Sequence, residues 1–415
     1  MSRDIYVYAD WLEDQPVLIG TLTAEQVRGK EHFSFAYADE WLKRPDAPYL
    51  KIDPDLQLFV GQQHKGDEHN FRTFLDSCPD RWGRLLMQRR EAALARQEER
   101  RPDRLQESDY LLGVNDAYRM GAIRFKTDPA GPFLDDDERL SAPPITSLRE
   151  LEQAAREVEQ NADFDDPEYM KWLFMLISPG SSLGGARPKA SVIDEKGDLW
   201  IAKFPSQHDD HDIGAWEFLT YRLAQQAGIE MAQCRIERYN SDHHTFLTQR
   251  FDRMGPRRLH FSSAMTQLEY YDGEAGASYL EIAEFLTNHG SNTREDLAQL
   301  WRRIVFNIAI SNVDDHLRNH GFLFDGAGWR LSPAYDINPT AVANGLHLNI
   351  DDTDNSLSYE LAFEVIDFFQ LTQEAAEDIF VNVLTSVSQW REVANQLGIS
   401  RSEQEVMKFA FNTDN

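Results

Sequence analysis

The sequence predicts an α+β chain on a bilobed plan: a sheet-containing N-terminal module, a small lobe of strands and helices, and a mostly helical C-terminal lobe. Three observations predict it. Apolar and polar residues alternate as in strands near the start, a proline-rich acidic stretch interrupts the chain from Lys126 to Pro144, and apolar residues recur at helical spacing from Leu297 onward.

Asp4 to Ala9 and Gln15 to Leu22 read as strands around a Glu13-Asp14 turn, with Phe33 to Tyr37 as a third. From Phe71 to Arg101 the spacing is helical, carrying Leu75, Trp82, Leu85 and Leu86, and Pro102, Gly113 and the run Met120 to Phe125 close it. Lys126 to Pro144 holds four prolines, a glycine and the acidic Asp135 to Glu138, which is linker chemistry. The expected division is therefore an N-terminal module over 1–130, a linker over 131–145, a nucleotide-binding lobe over 146–255 and a helical lobe over 256–415. Within the small lobe come a helix from Thr146 to Gln160, a glycine-rich turn, a hairpin from Ala190 to Phe204, a helix from Ile213 to Ala227 and strands ending at Phe251. Leu297, Leu300, Trp301, Ile304, Val305 and Ile308 share one face of a helix whose cap is read as Thr293 with Asp296. A hairpin around Asp325-Gly326 and helical stretches from Leu357 to Gln370 and Thr372 to Leu397 complete the chain.

Composition excludes several classes of function. Of 415 residues 41% are hydrophobic, enough for ordinary cores. Against 42 Lys and Arg stand 70 Asp and Glu, and the net charge of -28 repels a phosphate backbone, which argues against unaided DNA or RNA binding. Cys78 and Cys234 lie far apart with no partner at metal-ligand spacing, so packed thiols are expected rather than a zinc site or disulfide. Met1 to Asp14 lacks the apolar core of a signal peptide, and no stretch approaches the roughly 18 apolar residues of a membrane span. A cytoplasmic protein is expected.

Asp314 and Asn319 are separated by four residues on the loop after the long helix. Phosphoryl-transfer enzymes of the protein-kinase type use that spacing, the Asp serving an acceptor hydroxyl and the Asn reaching Mg²⁺. The hairpin beyond delivers Asp336 as a second hard oxygen ligand. By itself an Asp-x4-Asn pattern is an ordinary acidic loop, but upstream residues add to it. Pro179-Gly180-Ser181-Ser182-Leu183-Gly184-Gly185-Ala186-Arg187-Pro188-Lys189 offers small residues whose amides can approach phosphate oxygens, although it is also a plain flexible turn. Lys203 sits among apolar neighbours near the end of a strand, where a phosphate contact steadied by Glu217 on the next helix would explain it, as would a head group snorkelling to water.

These residues resemble the HipA-like serine/threonine kinases, the toxin component of bacterial toxin-antitoxin pairs. The resemblance covers nearly the whole chain and rests also on Cys78 to Arg84, Leu111 to Phe125, Arg250 to Arg253 and Tyr335 to Ile337. It implies a kinase-like fold and a role for each matching residue. Ser182, Gly184, Gly185, Lys189 and Lys203 would lie along ATP phosphates, Gln249 and Phe251 beside the adenine, and His316 facing the nucleotide. Asp314 would be catalytic, and Asn319 and Asp336 would hold Mg²⁺. It further implies autophosphorylation at Ser182, or its neighbour Ser181, as an off switch. It implies a HipB-like helix-turn-helix antitoxin that supplies any DNA contact, and a protein substrate such as an aminoacyl-tRNA synthetase. A small-molecule kinase and a catalytically silent co-repressor remain as alternatives.

Overall fold

The computed structural model describes residues 2–45, 51–66, 69–134, 143–160, 167–177 and 187–413. They form an α+β fold of two compact units, Met1–Gln207 with Asp252–Ser262, and His208–Phe251 with Ser263–Asn415.

The first unit is built on an antiparallel sheet of β1 (Ser2–Ala9), β2 (Val17–Val27), β3 (Lys30–Tyr37), β4 (Gln62–His64) and β5 (Ile123–Lys126), in the order β4-β3-β2-β1-β5. Alternation sets its buried face: Ile5, Val7 and Ala9 are shut from solvent while Tyr6 and Tyr8 are half-buried. Strand β2 runs beyond its expected end at Leu22, because Glu25, Gln26 and Val27 are all exposed and give no alternation to read. Arg28 and Gly29 then take positive φ of 51° and 83°, the turn geometry that joins twisted strands in two residues. Phe35 of β3 packs on Phe71 and Phe74, and Phe125 of β5 packs on Phe74.

The helical stretch expected from Phe71 to Arg101 is two helices, Arg72–Asp76 and Arg81–Gln97. Pro79 has no N–H to continue the first, and Asp80 caps the second by accepting from Gly83 N at 2.9 Å. The helix Leu148–Gln160 agrees with its expectation; Pro167–Ile177 was not foreseen, since its apolar residues, interrupted only by Lys171 after Glu168, leave no polar face to mark a helical period. A hairpin of β6 (Lys189–Ile193) and β7 (Leu199–Lys203) follows.

The second unit holds the helix Ile213–Gln226, the hairpin β8 (Cys234–Glu237) and β9 (Thr245–Gln249), and a helical body around Thr293–Ile310. On that helix the six apolar residues singled out by their spacing are all fully buried. Its cap differs from expectation. Asn292 is the N-cap, while Thr293 donates to Leu286 O at 3.1 Å and Asp296 turns inward to Arg330 and Leu331 N. Among the described residues no helix is long and apolar enough to cross a membrane.

Candidate active site

The helix Thr293–Ile310 stops because Ser311 turns left-handed, with φ 51° and ψ 48°. Asn412 seals that end: its N–H donates to Ala309 O at 2.8 Å, and its side-chain amide donates to Ile308 O and Ser311 Oγ, each at 3.0 Å. The chain then enters the loop of Asp314, His316 and Asn319. Asp314 is exposed and Asn319 is 3% exposed. The Asn319 amide Nδ2 donates to Asp314 O at 2.9 Å, while its Oδ1 is buried without a hydrogen-bond partner. An oxygen so placed is a hard donor, the kind of atom that a Mg²⁺ ligand requires. His316 lies edge-on to His347, with ring centroids 5.7 Å apart.

Asp315, next to the exposed Asp314, points inward and is 3% exposed. Its Oδ2 accepts from Tyr279 OH at 2.6 Å and Asn307 Nδ2 at 2.6 Å, and pairs with His320 Nε2 at 2.9 Å. Asn312 extends the network to Asn307 Oδ1 at 3.0 Å. Burial works to raise the Asp315 pKa, but the His320 charge and hydrogen bond and the Tyr279 hydroxyl outweigh it and hold the carboxyl below its ordinary range. This support was missed in the sequence. Its one local signal was Asn307, a polar residue between Phe306 and Ile308 in the buried part of the helix.

Asp336 takes a left-handed φ of 57°, an uncommon conformation for a non-glycine residue. Its neighbour Tyr335 ties it to the loop by donating to Arg318 O at 2.7 Å, and the same ring lies 5.5 Å from that of Phe251. Phe251 follows β9, whose last residue Gln249 donates from its N–H to Gln233 O at 2.8 Å. On the helix Ile213–Gln226, Thr220 Oγ1 is 2.6 Å from Ile337 O, and the buried Glu217 lies one turn earlier. The second unit thus joins Asp314, His316, Asn319, Asp336, Phe251, Gln249 and Glu217 on linked elements.

Lys189 and Lys203 belong to the first unit, where they face each other in the register of β6 and β7. Lys189 Nζ pairs with Asp80 Oδ2 at 2.6 Å, both side chains 3% exposed, and Trp82 Nε1 donates to Lys189 O at 3.1 Å. Ser181, Ser182, Gly184 and Gly185 lie outside the described residues.

A family model described as the HipA-like C-terminal domain matches residues 181–402. Two bacterial relatives, each named only provisionally as a kinase, match parts of the chain. One from Haemophilus influenzae is 28% identical over 189 residues, 39% of this chain and 55% of its own. The other, from Sinorhizobium fredii, is 25% identical over 182 residues, 38% of this chain and 41% of its own. The chain spans about half the length of the curated relatives it matches. Among solved structures, a chain from the Shewanella oneidensis complex of HipA, HipB and operator DNA aligns over 98% of this chain and 94% of its own, at 17% identity and a TM-score of 0.65. That is a likeness of fold.

Proposed function

The chain belongs to the HipA-like C-terminal domain family, and from that premise we propose that it is an ATP- and Mg²⁺-dependent serine/threonine protein kinase, the growth-arresting toxin of a toxin-antitoxin pair. The observation that carries the reading is the loop that pairs an exposed Asp314 with a buried Asn319 whose Oδ1 lacks a protein partner. Two relatives named as kinases support it.

In this reading an acceptor hydroxyl oxygen bonds to the γ-phosphorus of ATP as the bond to the ADP oxygen breaks, and Asp314 orients that hydroxyl and accepts its proton. Asn319 and Asp336 would hold Mg²⁺, which neutralises phosphate charge when bound. Lys203, steadied by Glu217, would contact the phosphates together with Ser182, Gly184 and Gly185, whereas Lys189, expected there too, is 3% exposed and paired with Asp80, so its role would be to hold the strand rather than to reach a phosphate. Gln249, Phe251 and His316 would line the rest of the nucleotide. Transfer to Ser182, or Ser181, would place a dianion in the phosphate loop and switch the enzyme off.

The Shewanella oneidensis relative is held in a complex with HipB and operator DNA. We assign this chain a comparable helix-turn-helix antitoxin, because a net charge of -28 favours borrowing DNA contacts from a partner. An aminoacyl-tRNA synthetase is the proposed class of substrate, a cytoplasmic setting the proposed location, and the divisions near 130, 145 and 255 the proposed domain boundaries.

The test is incubation with labelled ATP and Mg²⁺, alone and with lysate proteins, followed by mapping of the label. Wild type should label itself at Ser182 or Ser181 and label at least one other protein, and Asp314→Ala should label neither. Equal growth arrest by wild type and Asp314→Ala would remove phosphoryl transfer as the active principle.

A further inference from the structure

The chain leaves the second unit after Phe251, runs through the first as Asp252–Ser262, and returns at Ser263. Both ends of this strap adjoin the candidate site. Phe251 precedes it, and the residue after Ser263, Ala264, donates its N–H to His320 O at 2.8 Å, directly behind Asn319. Within the first unit the strap is fastened by charge. Asp252 is fully buried, accepts from Gly121 N at 2.7 Å and pairs with Arg253 Nη1 at 2.6 Å. The Arg253 guanidinium also donates to Gly121 O at 3.1 Å and Arg119 O at 2.7 Å. Arg258 Nη2 donates to Asp116 O at 2.8 Å, His260 stacks on Trp11 at 4.0 Å, and Leu259 N closes the strap onto Asp252 O at 3.0 Å. Gly121 is needed at this clasp. Its φ is +71°, and an added Cβ would lie 3.2 Å from Phe261 N.

Buried ionic fastenings of this kind are often no more stable than apolar packing of equal volume, so net stability does not account for them well. What this one does is fix geometry. We propose that Asp252 and Arg253 are positioning residues: by anchoring the strap to the 116–121 turn, they hold the nucleotide-lining segment at one end of the strap and the support of the Asn319 loop at the other. The proposal rests on the kinase reading for its catalytic consequence, and on connectivity alone for its mechanical one.

The test uses the full chain with Arg253→Ala, Arg253→Lys and, as a control elsewhere in the same unit, Glu107→Gln, which removes the charge and one of the two bonds from the two-pronged Arg84–Glu107 pair at 2.7 Å. Two readouts are needed, the split between KM for ATP and kcat, and amide exchange at Gln249 and Ala264. Arg253→Ala should raise KM about tenfold with kcat changed less than about threefold, and speed exchange at both amides by about tenfold while Ile5 and Val7 in β1 keep wild-type protection. Arg253→Lys should fall between, and Glu107→Gln should move neither readout even if its melting point drops. Arg253→Ala matching Glu107→Gln in KM and at both amides would overturn the proposal. If wild type fails to turn over ATP, the kinase reading falls, and the amides still decide whether the strap holds the two segments.

Discussion

Replacing Asp315 by Asn changes the charge of one buried group and almost none of its volume. Three donors converge on Asp315 Oδ2, from Tyr279, Asn307 and His320. Hydrogen bonds to a charged acceptor are worth about 1 kcal/mol more than to a neutral one, so three of them lose about 3 kcal/mol. An amide costs less to bury than a carboxylate, which returns part of this and leaves a net loss of about 2 kcal/mol. For a unit of this size that lowers the melting point by roughly 4–8 °C. The damage to phosphate transfer should be larger, because the next residue is Asp314, and a displacement of about 1 Å at a reacting group costs on the order of 100-fold in rate. Thermal melting and labelled phosphate transfer measure the two effects. Combining Asp315→Asn with Tyr279→Phe should be non-additive in stability by about 0.5–3 kcal/mol, since both act on one hydrogen bond. An Asp315→Asn protein that melts with wild type and transfers phosphate at the wild-type rate would refute the claim that this network holds the loop.

Asp314→Ala should abolish transfer yet shift stability by less than about 0.5 kcal/mol, because its side chain is exposed, and melting alongside activity separates it from Asp315→Asn. Asn319→Ala should cost about 1 kcal/mol through its bond to Asp314 O and should remove the rise in melting point given by Mg²⁺ with ATP. Asp80→Asn should destabilise the first unit by about 3–5 kcal/mol by leaving the Lys189 ammonium buried without its carboxylate, as urea unfolding would report. For Asp212, burial raises the pKa, but the His244 hydrogen bond and charge and the N–H groups of His244 and Ala215 hold it below 3.8. A depressed carboxyl stabilises fully above its unfolded pKa and loses that contribution as pH falls through its folded value. Urea midpoints of Asp212→Asn should therefore fall less steeply than those of wild type below about pH 4.

The parts legible in the sequence are those governed by local pattern. Alternation in Ile5, Val7 and Ala9 marked a strand, and the spacing of Leu297 to Ile308 marked the central helix, because burial of one face imposes a period. Asp314, Asn319 and Asp336 could be singled out because a kinase loop would fix residue types at short spacing, and the structure links the first two through the Asn319 Nδ2 bond to Asp314 O. What escaped depends on long-range partners or on residues without a pattern. Asp315 is indistinguishable from Asp314 in an Asp-Asp pair until Tyr279 and Asn307 are brought to it from another helix and an earlier turn. The polar end of β2 had no alternation, and the cap at Asn292 was read one residue late because Thr293 suits the same role by composition. The expected partnership of Lys203 and Glu217 joins residues of two different units, and nothing in the local sequence of either decides it.

Asn412 finishes a helix that ended some hundred positions before it, since its amides cover the carbonyls of Ile308 and Ala309 and hold Ser311 in its turn. Asn412 is therefore a remote latch on the helix end from which the loop of Asp314 departs. A cut between Lys408 and Asn412 would remove that latch while leaving every residue of the candidate site in place, so on the kinase reading it should lower phosphate transfer with no change at Asp314, Asn319 or Asp336.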